Sequence, residues 1–147
     1  MSNAIILPAL AGIIGGVTIA GVGMVYRAAI GKGFWSLPNG IGGIVLGPAA
    51  GADRAFGLTT LTGVALHMLL SAIYGVAIVT LAPATGLSFI VTGLLVGVAV
   101  WLFNYYVVGA FHAGSKQLAE LNPVWMAFLL HALYGGVAGL VLELMSR

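Results

Sequence analysis

Charge is what this chain has least of: five Lys and Arg and three Asp and Glu among 147 residues, or 5%. With 61% of residues hydrophobic and a mean hydropathy of +1.16, so few charges cannot cover a water-facing surface, and most of the chain is solvated by lipid. The shortage also excludes nucleic acid as a partner, because a formal charge of +2 with no basic run offers nothing to follow a phosphate backbone. Cysteine is absent, which removes disulfides, a thiolate nucleophile, iron–sulfur clusters and cysteine-based zinc sites, and leaves the redox compartment open. The first residues have no positive n-region and no small-residue cleavage site, so the first apolar stretch is expected to stay in the mature protein. Carboxylates are scattered: Asp53 falls in a loop, and Glu120 and Glu143 flank the last apolar stretch from opposite sides. No Ser, His and Asp constellation accompanies them, so no catalytic residue and no metal site is predicted.

Long apolar runs are what the chain has instead. A helix needs about 20 apolar residues to cross the bilayer core, and four stretches qualify, at 4–30, 59–82, 86–111 and 124–145. Pro83-Ala84-Thr85-Gly86 is expected to end the second span and turn tightly into the third, while Asn122-Pro123 offers an N-cap and an N1 proline to the fourth. The segment 31–58 holds Phe34-Trp35-Ser36-Leu37-Pro38-Asn39-Gly40 and an apolar, glycine-rich run at 41–47. It is too short to span and reads as an interfacial or re-entrant segment anchored by Phe34 and Trp35. Gly40-x-Gly-Gly43 has no preceding strand to make it a nucleotide fingerprint and reads as flexible backbone. The predicted fold class is all-α, an integral membrane four-helix bundle forming one domain over 1–147.

A four-residue spacing of small residues recurs once in each span: Gly12/Gly16, Ser71/Gly75, Gly93/Gly97 and Gly135/Gly139. In lipid such pairs let helix backbones meet closely. Gly12, Gly16, Val17, Ala29 and Gly33 align at one offset with Gly93, Gly97, Val98, Ala110 and Gly114, and Leu66, His67, Leu69 and Gly75 align at another with Leu130, His131, Leu133 and Gly139. Two repeats are therefore expected, 4–82 and 86–145, each of two spans, parallel and related by a two-fold axis along the membrane normal. Arg27, Lys32, Arg54 and Lys116 lie on one side of the spans, which predicts both termini on the extracytoplasmic side of the cell's inner (plasma) membrane.

The few polar residues inside the spans fall on the small-residue stripes. Gly12, Gly16, Ala20, Gly23 and Arg27 share one stripe, Gly93, Gly97 and Asn104 another, and His67 and His131 each stand four residues before their small pair. At about 1.5 Å per residue both histidines lie about 12 Å, and Asn104 about 10 Å, from the cytoplasmic end of their helices. Arg27 sits one turn nearer the surface, within snorkelling reach. Three readings of His67, Asn104 and His131 stand side by side: hydrogen bonds that fix helix register, two axial ligands to one haem b with Arg27 meeting a propionate, or a proton or ion path. Glu143 and Arg147 are taken as a solvated i, i+4 pair. His112 is read as interfacial with no role, and Trp101, Tyr105, Tyr106, Trp125 and Phe128 as belt or packing aromatics.

The ligand pattern resembles the cytochrome b four-helix core, which also carries ligands on its second and fourth helices and glycines on its first and third, although that family offers two histidines per helix where this chain offers one. The wider layout resembles small bacterial four-span membrane proteins known only as domains of unknown function: Gly-x3-Gly, then Trp35-Ser36-Leu37-Pro38, then histidine helices with Tyr74-Gly75 and Tyr134-Gly135. That second resemblance implies no activity. The sequence thus leads to a non-catalytic membrane protein, an accessory or assembly subunit packing with the lipid bilayer and with other membrane subunits or itself, with no cofactor. The alternatives are a mono-haem b electron-transfer subunit using His67 and His131, and a small channel or transporter.

Overall fold

The computed structural model describes residues 3–146, and every regular element among them is helical. In chain order these are α1 (Asn3–Ala29), α2 (Ser36–Leu46), α3 (Pro48–Gly51), α4 (Leu58–Thr85), α5 (Phe89–Leu102), a π-helical segment (Phe103–Val108), α6 (Gly109–Phe111), α7 (Ala113–Leu121) and α8 (Val124–Met145). Four helical runs are long and apolar enough to cross a membrane: Ala4–Ala29, Leu58–Thr85, Phe89–Phe111 and Val124–Met145. The protein is a multi-pass membrane protein on that evidence.

Helix ends follow local chemistry. At the end of α1 the left-handed Gly31 (φ +71) lets its N–H reach the Ala28 carbonyl and the Lys32 N–H reach the Arg27 carbonyl, a Schellman closure that satisfies two orphan acceptors. The break expected at Pro83 comes at Gly86 instead. Pro83 lies within the last turns of α4, and the Thr85 hydroxyl donates back to the Leu81 and Ala82 carbonyls, holding the turn until Gly86 adopts φ +69. Ser88 then caps α5, its Oγ accepting from the Val91 N–H at 3.3 Å. The fourth span starts at Val124 as expected, but its cap differs: Pro123 is the N-cap rather than N1, and the Pro123 carbonyl, not the Asn122 side chain, receives the first bonds from Met126 and Ala127.

The long helices form an antiparallel ring in which α1 packs on α4 and α8, and α5 packs on α8 and, less extensively, on α4. The two loops on one side of the ring fold into a cap. Most of α2 is buried, from Ser36 to Gly43 with the exception of Ile41. Its glycines are packing surfaces, not flexible backbone: a methyl on Gly42 would strike the Thr59 carbonyl, and one on Gly63 of α4 would strike the Pro38 carbonyl. The other half of the cap, α7, was not foreseen. It crosses α2 where Gly114 meets the Gly43 carbonyl and Gly40 meets Leu118 and Leu121.

A fully buried asparagine pins the cap to the bundle. Asn39 Nδ2 donates to the Asp53 and Ala55 carbonyls at 2.9 Å each, and its Oδ1 accepts from the Thr60 hydroxyl at 2.5 Å. Thr60 Oγ1 in turn accepts from the Gly57 N–H at 3.1 Å, closing the first turn of α4.

Candidate functional site

The small residues stand where the helices touch. Along the α1–α4 contact, a methyl on Gly12 would meet the Ser71 carbonyl and the Gly75 backbone, one on Gly75 would meet the Pro8 carbonyl, and one on Gly16 would meet the Ser71 side chain. Along α5–α8, Gly93 meets the Gly135 carbonyl, Gly139 meets the Phe89 carbonyl, and Gly97 meets the His131 carbonyl. A Cβ at most of these places would run into backbone, which cannot rotate away. The approach of these backbones brings the histidines in from α4 and α8.

A cavity of about 200 Å³ lies where the ring meets its cap. Its walls are mostly aliphatic, with Ile19 and Met24 from α1, Leu37 and Ile41 from α2, and Leu130 from α8. Its polar lining is small: His67, His131, Asn104, Trp101 and Tyr105 from the ring helices and, from the cap, Ser115 and Asn122. The structure therefore brings together the three residues grouped from the sequence, since His67, Asn104 and His131 all line this one space.

Hydrogen bonding fixes how each imidazole meets the cavity. His67 Nε2 lies 3.0 Å from the Gly16 carbonyl, and His131 Nδ1 lies 2.8 Å from the Ala127 carbonyl one turn back on its own helix. A carbonyl only accepts, so both of these nitrogens carry hydrogen. In a neutral imidazole the remaining nitrogens, Nδ1 of His67 and Nε2 of His131, are then lone-pair acceptors.

The π-helical segment delivers Asn104 to the same wall. It widens the helix by one residue per turn, as π-bulges at functional sites do, and closes where the Gly109 N–H bonds the Asn104 carbonyl. Tyr105, on the same segment, lines the cavity with its ring while its hydroxyl donates to the Ala119 carbonyl of α7 at 3.0 Å. Trp101, one turn earlier, also lines the cavity. It packs edge-on against Phe128 at 5.2 Å, and its indole N–H has no partner among the described residues.

Arg27 lies elsewhere. It is 5% exposed, so it does not snorkel. Its Nε donates to the Ser36 hydroxyl at 3.0 Å and its Nη1 donates to the Leu121 carbonyl. The cation thus sits at the C-terminal ends of both α1 and α7, where the dipoles of two helices favour positive charge. Glu143 is not a free terminal carboxylate: its Oε2 accepts from the Phe89 N–H at 3.3 Å, at the start of α5. Its expected partner Arg147 lies outside the described residues. His112 has a task after all, since its Nδ1 accepts from the Ser115 N–H at 3.2 Å and caps α7.

No family model, curated protein or solved structure matches this chain. Neither the cytochrome b pattern nor the four-span layout therefore gains a relative that carries it.

Geometry works against a haem between His67 and His131. The cavity is smaller than the 300–1,000 Å³ range of pockets for drug-sized ligands, and a porphyrin is larger than most of those ligands. The Nε2 of His67, the usual ligand atom, faces a carbonyl, and Arg27 is held at the cap by Ser36 and Leu121. The residues present do not fit the group. Among the described residues no cluster of three His, Cys, Asp or Glu could hold a metal ion.

Proposed function

We propose that this chain is a non-catalytic integral membrane protein, an accessory or assembly subunit that packs within a larger membrane complex. The observation that carries this reading is the unequal burial of its spans. Of the most apolar window of each helix, 33% is buried in α1 and in α8, 17% in α4 and 11% in α5. On α4 and α5 large side chains such as Leu69 (59% exposed) and Leu95 (56% exposed) face outward. The small faces are engaged inside the ring, leaving these bulky faces to lipid or to another subunit.

The same reading takes the two helix pairs as copies of one unit. The contacts of Pro8 and Gly12 with Gly75, and of Phe89 and Gly93 with Gly139, occupy aligned positions in the two halves. That equivalence supports a duplication with a two-fold axis along the membrane normal. With Arg27, Lys32, Arg54 and Lys116 on the cytoplasmic side of the inner (plasma) membrane, both termini are extracytoplasmic and α2 is the interfacial or re-entrant piece of the cap. Backbone-to-backbone contacts at Gly12, Gly93 and Gly135 speak against a channel along the ring axis.

The reading is tested by incorporating a photo-crosslinking residue at Leu69 or Leu95 of the full-length protein in its native membrane. The expected result is one membrane protein captured in near-stoichiometric yield that also co-purifies in mild detergent. Adducts to lipid alone, together with a particle containing only this chain, would overturn it.

A further inference from the structure

We infer that the cavity between the ring and its cap is a binding site for a neutral, ring-sized molecule that donates a hydrogen bond, of the phenol or hydroquinone class. The inference is independent of the assembly role. Size comes first: a dry apolar cavity of about 150 Å³ in another protein accepts benzene, and the space here is about 200 Å³. It takes one six-membered ring with small substituents.

Polarity selects within that size. The two imidazoles that line the cavity have already given one N–H each, to the Gly16 and Ala127 carbonyls, so in their neutral form they offer acceptors. A purely apolar ring would leave these lone pairs unpaired in low dielectric, whereas a hydroxyl satisfies them. The Asn104 amide, both donor and acceptor, answers the hydroxyl's own oxygen. A site built to pair a hydroxyl discriminates strongly against the analogue without one, because rejection follows from the protein groups left unmatched.

Access is from the membrane. Val64 lines the cavity yet is 41% exposed on α4, and the α4–α5 side is where neighbouring long helices pack least. A ligand dissolved in the bilayer reaches this rim without crossing the cap.

The test uses full-length protein carrying ¹⁵N-labelled histidine in lipid nanodiscs, with His112→Gln to remove the third resonance set. It is titrated with 4-methylphenol, hydroquinone, and 4-methylanisole, which keeps the ring and lacks the donor. The expected result is a saturable shift of the unprotonated ring nitrogens of His67 and His131 with the two hydroxyl compounds, at concentrations at least tenfold lower than any effect of 4-methylanisole. Hydroquinone acting more strongly than 4-methylphenol identifies a two-donor ligand that engages both imidazoles, and equal action identifies a one-donor phenol. An equal response to 4-methylanisole, a response that rises without saturating as ligand partitions into lipid, or no response at all overturns the proposal. Because every ligand is compared on the same protein with His67 and His131 intact, the comparison does not depend on how a variant of either histidine folds.

Discussion

The Tyr134 hydroxyl donates to the Ser71 carbonyl at 2.7 Å, tying α8 to α4 across the ring. The same carbonyl is the atom that a methyl on Gly12 would strike, so three helices converge on one backbone oxygen. Tyr134 is buried, and its ring meets Tyr74 edge-on at 6.4 Å. Tyr134→Phe keeps the ring and removes only the donor. The expected cost is about 1 kcal/mol, measured as the unfolding equilibrium in mixed micelles; an unchanged midpoint would mean that the bond adds no net stability.

Gly135 and Gly136 are neighbours with opposite expected responses. A methyl on Gly135 would collide with the Gly93 carbonyl, whereas one on Gly136 would rest against a Leu94 side-chain carbon at 3.5 Å. Gly135→Ala should therefore force α5 and α8 apart at a cost of about 1–3 kcal/mol or more. Gly136→Ala should be neutral or stabilise by up to about 1 kcal/mol through the backbone alone. Equal effects in the same unfolding assay would remove close packing as the reason for the glycine pairs. The contrast extends to Gly97, which faces the His131 backbone, and Gly16, which faces the Ser71 side chain: Leu at Gly97 should be the more damaging.

Arg27 holds the two loops of the cap together through Ser36 and Leu121. Arg27→Met removes both donors while keeping a long apolar stem, and should cost about 2–3 kcal/mol for each charge-assisted bond lost. Lysine should rescue little, because a single ammonium does not reproduce the guanidinium fork. Hydrogen exchange of α2 and α7 is the sensitive readout. Faster exchange confined to those helices is expected, and uniform exchange throughout would show that Arg27 does not act at the cap.

Supplied with haem during expression, the protein is expected to give no reduced-minus-oxidised band that depends on the histidines. A haem b band present in the native chain and lost in His67→Ala/His131→Ala would overturn the argument from cavity size and ring orientation.

Hydropathy made the spans legible, because crossing a bilayer demands a long apolar run whatever the tertiary structure. Spacing made the helix contacts legible too: the small pairs predicted from sequence are where backbones meet. The convergence of His67, Asn104 and His131 also followed from stripe and depth. The cap was less visible. Asn39 and its glycine neighbours carry turn chemistry in one dimension, and only the burial of α2 turns them into a packed face. Helix α7 (AGSKQLAEL) is too polar and short to stand out beside membrane runs. The π-helical segment has no local signal at all, since its extra residue is an adjustment to what α5 touches before it and after it. Arg27 was expected to snorkel and is buried instead, because Ser36, nine residues on, is joined by Leu121 from a loop 94 residues away.

That extra residue is a phase shifter. In an ordinary α-helix each residue advances about 100°, so one residue added or removed within Phe103–Val108 turns everything beyond it by that angle relative to Gly93 and Gly97. The upstream half of this span is keyed to α8, and the downstream half carries Tyr105 to Ala119 and leads into the His112 cap of α7. The two halves obey different alignments, and the bulge is what allows both at once. Deleting a single residue there would leave four membrane-length helices in place while pointing the roof of the cavity away from its walls.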